Sequence, residues 1–113
     1  MSLPETAGFR CLSAAAAIAL IREETAVAVF DVRDLPSYQR AHLDGAAHLS
    51  EDRLLPWSRR LPKDVPVVIY CYHGNASKAY AQMFVDFRHT RVFSVDGGYE
   101  ALAAARAVRT ALV

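Results

Sequence analysis

The sequence predicts an α/β domain, a parallel β-sheet covered by helices on both faces. Three observations carry this. Valine-rich apolar runs stand at residues 27–32, at 65–71 and within 91–98, and continuous apolar runs of this length suit strands buried on both sides. Stretches of helical pattern lie between them, so strands and helices alternate. The three runs end at Asp31 and Val32, at Cys71, and at the turn Asp96-Gly97-Gly98. In a parallel sheet these ends share one rim.

Each element has a local reason. The run CLSAAAAIALI, residues 11–21, reads as the end of a strand followed by a helix, with Ser13 as N-cap and Thr25 closing it. VAVFDV, residues 27–32, is a buried strand. Asp34 and Pro36 open a helix through about Arg40, and proline is tolerated in a first turn. HLDGAAHLS is a loop at Gly45 leading to a short strand near residues 47–49. Ser50 caps EDRLLPWSRR, which Pro56 is expected to break into short helical pieces. VPVVIYC carries the strongest strand signal. ASKAYAQMFVDFRH follows as a helix with Tyr80, Phe84 and Phe87 on one face, and His89 reads as a helix C-terminal residue favoured by the dipole. RVFSVDGG is a strand ending in a glycine turn, and YEALAAARAV is the last helix.

Bulk composition excludes several functions. At 113 residues and 53% apolar the chain suits one compact domain over residues 1–113, without linker or repeat. The net charge of +1 includes no basic block, which argues against nucleic acid as a partner. Two cysteines are too few for a disulfide scaffold. No apolar run approaches the ~20 residues of a membrane span. Residues 11–21 mimic a signal-peptide core, but Glu5 and a single Arg10 precede them and Arg22, Glu23 and Glu24 follow at once. The expected home is a cytoplasm. No pair of His or Cys has metal-ligand spacing, so neither metal nor cofactor is expected.

Chemistry concentrates at Cys71. Ligands of open parallel sheets sit beyond the carboxyl ends of the strands, and Cys71 ends one. The residues that follow it, Tyr72, His73, Gly74, Asn75, Ala76 and Ser77, form a turn whose peptide N–H groups are able to converge, with Gly74 supplying a positive φ. A helix starting near Asn75 or Ala76 adds its own unpaired N–H groups and the positive end of its dipole. Such a cup binds an anion, and it favours thiolate over thiol. Cysteine is more often a small buried hydrophobe than a nucleophile, but strand end, glycine loop and helix start coincide here. Lys78, in the first helical turn, is electrostatically misplaced unless an anion is near. Arg33 follows Asp31 on the same rim. It is a candidate for anion steering, with a structural ion pair to Asp31 the favoured reading. His73 acts either through a protonated ring or through its backbone N–H alone. His42 and His48 are expected to make orienting hydrogen bonds, and Asp96, Gly97 and Gly98 a tight turn and helix cap.

Three stretches in order resemble the rhodanese family of sulfurtransferases across nearly the whole chain. FDVRDLPSYQRAHLDGAAHLS is similar to its first signature, through Asp31, Arg33, Tyr38, His42, Gly45 and Ala46. VVIYCYHGNASKAYAQMF is similar to its active loop and VFSVDGGYEAL to its closing signature. CYHGNASKA looks most like the loop of the small single-domain thiosulfate sulfurtransferases of GlpE type. The resemblance implies a five-stranded, mostly parallel sheet between helices and a six-residue loop from Cys71 to Ala76. It also implies sulfane-sulfur transfer through a Cys71 persulfide, from thiosulfate to cyanide or to a thiol acceptor, thioredoxin-like proteins among them, each suited to an exposed persulfide. Tyr72 and Ala76 stand where many family loops carry arginine, Leu102 where tryptophan is common, and Ser50 where proline is frequent. Two other functions share these features: a sulfur-relay or protein-binding module with little thiosulfate activity, and a phosphatase or arsenate reductase. The last requires a longer loop ending in arginine, against Ala76 and Ser77 here.

Overall fold

The computed structural model describes residues 8–112; the opening residues, Glu5 included, lie outside them. Strands β1 (Arg10–Leu12), β2 (Ala28–Asp31), β3 (Ala47–His48), β4 (Val67–Tyr70) and β5 (Val92–Val95) form one sheet in the order β1-β5-β4-β2-β3. Every pairing is parallel, with Phe30 opposite Ile69 and Ile69 opposite Ser94. The helices are α1 (Ala14–Glu23), α2 (Leu35–Arg40), α3 (Glu51–Arg60), α4 (Ala76–Asp86) and α5 (Gly98–Leu112).

The central strand explains the layering. All four residues of β4 are buried, so both of its faces must be covered. Val68 and Tyr70 join Ala14, Ala17 and Ile18 of α1, Val95 and Leu102 in one core. Val67 and Ile69 join Phe30, Leu54, Ala81, Phe84 and Val92 in the other. Leu102 is buried there, a smaller side chain filling a packed position. Local signals act at the helix starts: Ser13 Oγ accepts the Ala16 N–H at 3.1 Å, and Asp34 Oδ1 accepts that of Ser37 at 2.8 Å, with Pro36 in the first turn.

Three sequence expectations are corrected. Helix α3 runs unbroken through Pro56. The proline deletes one bond, to the carbonyl of exposed Asp52, which water can satisfy, while Leu54 and Ser58 anchor the helix on both sides of it. Helix α4 ends at Asp86, so Phe87 lies beyond its buried face of Ser77, Ala81 and Phe84 and is exposed. Arg88 turns the chain with a φ of 76°. His89 follows as a buried residue. Its Nε2 lies 2.8 Å from Ser58 Oγ and 3.4 Å from Lys63 Nζ. Burial and the Lys63 charge hold its pKa below the ordinary value, so it is a neutral core histidine and not a charged one on a helix dipole.

Candidate active site

Because all strands run parallel, the ends of β2, β4 and β5 meet at one rim. Cys71 leaves the middle strand there. The chain from Tyr72 to Asn75 curls back over it, and α4 begins at Ala76. Gly74 has a φ of 103°, and a Cβ on it would lie 3.1 Å from Gly97 N and 3.2 Å from Val95 O. The positive φ calls for glycine, and the close backbone leaves little room for a side chain.

The curl brings two amide donors and one hydroxyl to the sulfur. Gly74 N–H donates to Cys71 Sγ at 3.1 Å and Ser77 N–H at 3.3 Å, and Ser77 Oγ lies 3.4 Å away. Asn75 is the N-cap of α4, yet its side chain makes no capping bond. A cap would ordinarily accept an early amide of the first turn; here the Ser77 amide goes to the sulfur. Burial pushes the Cys71 thiol up. Against it, the Ser77 hydroxyl and the N–H groups of Ser77, Gly74 and His73 hold the pKa below its ordinary value. Cys71 is 3% exposed. The loop therefore wraps the sulfur more closely than the open position suggested by its place at a strand end.

The remaining loop residues divide by exposure. Tyr72, His73, Asn75, Ala76 and Lys78 are exposed, while Gly74 and Ser77 are buried. Tyr72 Oη is 3.0 Å from Ser37 Oγ, which ties the loop to α2. Lys78 sits in the first turn of α4 with its backbone N–H on Asn75 O.

Arg33 does not join the exposed cations. It is buried, with Nη2 2.7 Å and Nε 3.1 Å from the Asp31 carboxylate and Nη2 2.5 Å from Ala41 O. Its guanidinium also lies 3.9 Å from the centre of the Tyr99 ring. It braces the rim: the Tyr99 N–H donates to Cys71 O at 2.8 Å. His42 Nδ1 lies 2.8 Å from Tyr38 O and His48 Nε2 2.6 Å from Arg33 O, both holding loops. Cys11 is a free thiol on β1, as Cys71 is on the rim.

Two contributors escape a reading of the sequence. Gly98 is more than a turn residue: a Cβ there would lie 2.4 Å from Tyr72 O and 2.5 Å from Cys71 O. Ser94, buried in β5, places its Oγ 2.7 Å from Ser77 Oγ. Its only signal is a hydroxyl inside the apolar run VFSV.

Fold and site together define an α/β protein that holds a thiol ringed by N–H donors at the carboxyl rim of a parallel sheet. The model of the rhodanese-like domain matches residues 13–105, and the chain belongs to that family of sulfurtransferases. It is 39% identical over 74 residues to the thiosulfate sulfurtransferase GlpE of Tolumonas auensis, covering 66% of this chain and 70% of the relative. A protein of unknown function from Rhodopseudomonas palustris, described as a possible tyrosine phosphatase, superposes with a TM-score of 0.74 at 26% identity, over 87% of this chain and 82% of its own. The rhodanese-like domain of an Anabaena protein gives 0.73 at 24% identity, over 83% and 73%, a likeness of fold. No helix among the described residues is long and apolar enough to cross a membrane.

Proposed function

We propose that the protein is a thiosulfate sulfurtransferase working through a persulfide on Cys71. The observation that carries this reading is the convergence of the Gly74 and Ser77 N–H groups on Sγ at 3.1 and 3.3 Å, in a loop that favours the thiolate. In the first half-reaction the thiolate attacks the outer sulfur of thiosulfate. The bond between the two thiosulfate sulfurs breaks, and sulfite leaves with its electron pair. The negative charge then rests on the outer sulfur of Cys71–S–S⁻, beside the same N–H groups. In the second, cyanide or a thiolate acceptor attacks that sulfur, the S–S bond breaks, and the Cys71 thiolate returns. Hydrogen bonds to an ion contribute ~1.5–3 kcal/mol each and one pKa unit corresponds to ~1.4 kcal/mol, so the loop donors lower the thiol's pKa against its burial.

Tyr72, His73, Gly74, Asn75, Ala76 and Ser77 form the binding loop in this reading. Lys78 steers the donor anion, since Arg33 is committed to Asp31. Lys78→Ala is expected to raise KM for thiosulfate a few-fold at low salt, leave kcat unchanged, and lose that effect near 1 M salt; a salt-independent change would contradict steering. Free thiols at Cys11 and Cys71 suit a cytoplasm. A phosphatase reading lacks its clamp, because Ala76 and Ser77 stand where arginine is needed.

The test is an intact mass after incubation with thiosulfate. A gain of about one sulfur (~32 Da), erased by cyanide and absent from Cys71→Ser, is expected. No gain with thiosulfate, but a gain from a persulfide-donating desulfurase, would replace this reading with a sulfur-relay module.

A further inference from the structure

Ser94 is a hydroxyl on an apolar sheet face. Along β5, Val92 and Ser94 face the core that holds Ile69, Ala81 and Phe84, and both are buried. A hydroxyl in such surroundings is unfavourable without a partner. The side-chain partner it has is Ser77 Oγ at 2.7 Å, and Ser77 Oγ is in turn 3.4 Å from Cys71 Sγ. Three polar atoms, from the residue after β4, from α4 and from β5, are thus linked one to the next inside the protein.

We propose that Ser94 is a positioning residue for Cys71: its hydroxyl decides which way the Ser77 hydroxyl points. The argument is a count of protons. Each hydroxyl has one to donate. In the thiol form Sγ–H donates to Ser77 Oγ, and Ser77 O–H is left to donate to Ser94. When the sulfur is ionised or carries a persulfide, Ser77 must donate toward it. Its oxygen then needs a donor from the other side, and Ser94 O–H supplies it. Ionisation releases the Sγ proton to a base in solution; the two hydroxyls keep their own protons and only turn about their Cβ–Oγ bonds. A hydroxyl that accepts one hydrogen bond is a stronger donor in the next, so the pair reinforces negative charge on the sulfur without touching it.

This inference rests on Cys71 reacting as the anion, as the sulfurtransferase reading requires, but its test needs no sulfur transfer. The rate of Cys71 alkylation by iodoacetamide, followed by mass in a Cys11→Ser background, gives the ionisation midpoint against pH. Ser77→Ala is expected to raise the midpoint by about one unit, and Ser94→Ala by about half a unit, a roughly threefold slower reaction below the midpoint. In the Ser77→Ala background, Ser94→Ala is expected to add less than about 0.2 unit, because its route to the sulfur is gone. Ser94→Thr, which keeps the hydroxyl, is expected to hold the parent midpoint, and it answers the question if Ser94→Ala does not fold. An unchanged midpoint in Ser94→Ala, an equal shift with and without Ser77, or a shift in Ser94→Thr matching that of Ser94→Ala would each overturn the proposal. Sulfur loading by thiosulfate, measured on the same samples, separates the two claims. A coupled shift in a protein that takes up no sulfur supports Ser94 and refutes only the transfer reading.

Discussion

Replacing Gly98 with alanine tests whether the closing turn clamps the cysteine loop. The added Cβ would sit 2.4 Å from Tyr72 O and 2.5 Å from both Cys71 O and Tyr72 C. Ordinary contact begins near 3.4 Å, so one backbone must retreat by about 1 Å. The loop is not free to do so intact, because Cys71 O already accepts the Tyr99 N–H at 2.8 Å. Two costs add. Alanine at a φ of 60° costs ~1 kcal/mol or more, and overpacking against backbone costs ~1–3 kcal/mol. For a domain of roughly this size, ~2–4 kcal/mol lowers Tm by ~10–20 °C. The chemical effect follows from the same displacement. A retreat of about 1 Å carries the Gly74 or Ser77 amide beyond hydrogen-bond reach of Sγ, from 3.1 or 3.3 Å. Losing one such bond raises the thiol midpoint by ~1 unit or more, which cuts the thiolate at neutral pH about tenfold. Thermal melting and the pH profile of alkylation measure the two effects on one sample. A Gly98→Ala protein that melts within ~2 °C of its parent and alkylates with the same midpoint would refute the clamp.

Two further outcomes follow from buried polar groups. Asp31→Asn leaves the Arg33 guanidinium buried without its anion. A loss of ~3–5 kcal/mol in urea denaturation is expected, and a loss under ~1 kcal/mol would show that Ala41 O and the Tyr99 ring suffice to hold it. His89 has a folded-state pKa held below the ordinary 6.5 by burial and Lys63. Its neutral form therefore gives its full contribution above pH ~6.5, and stability falls as the pH drops below that value and through the folded pKa. The depressed carboxylates Glu24, Asp34 and Asp52 act only at lower pH, below their ordinary values near 4. His89→Gln is expected to flatten Tm between pH ~6.5 and ~5, and an unchanged slope there would assign the acid sensitivity to other groups.

Local chemistry was enough for much of this molecule. The apolar runs become β2, β4 and β5, Ser13 and Asp34 cap α1 and α2, and Gly74 takes its positive φ. Each depends on residues within a few positions of one another, and so does the placing of Cys71 at a strand end before a helix. Elsewhere distant packing overrides a local rule. Pro56 breaks isolated helices, but Leu54 and Ser58 on either side of it are held in the core. His89 sits after a helix, where a cation is favoured, but Ser58 and Lys63 approach from another part of the chain.

The order of residues along the chain determined that this protein has alternating strands and helices, and that a thiol stands where a strand hands over to a helix. The character of that thiol was decided in three dimensions. Parallel pairing brings β5 beside β4, and only then do Ser94 and Gly98, more than twenty residues from Cys71, press on its loop. Hydrogen bonds and steric contact act over a few ångströms, a distance that sequence separation does not encode. The orientation of the amides around the sulfur is therefore a property of the sheet.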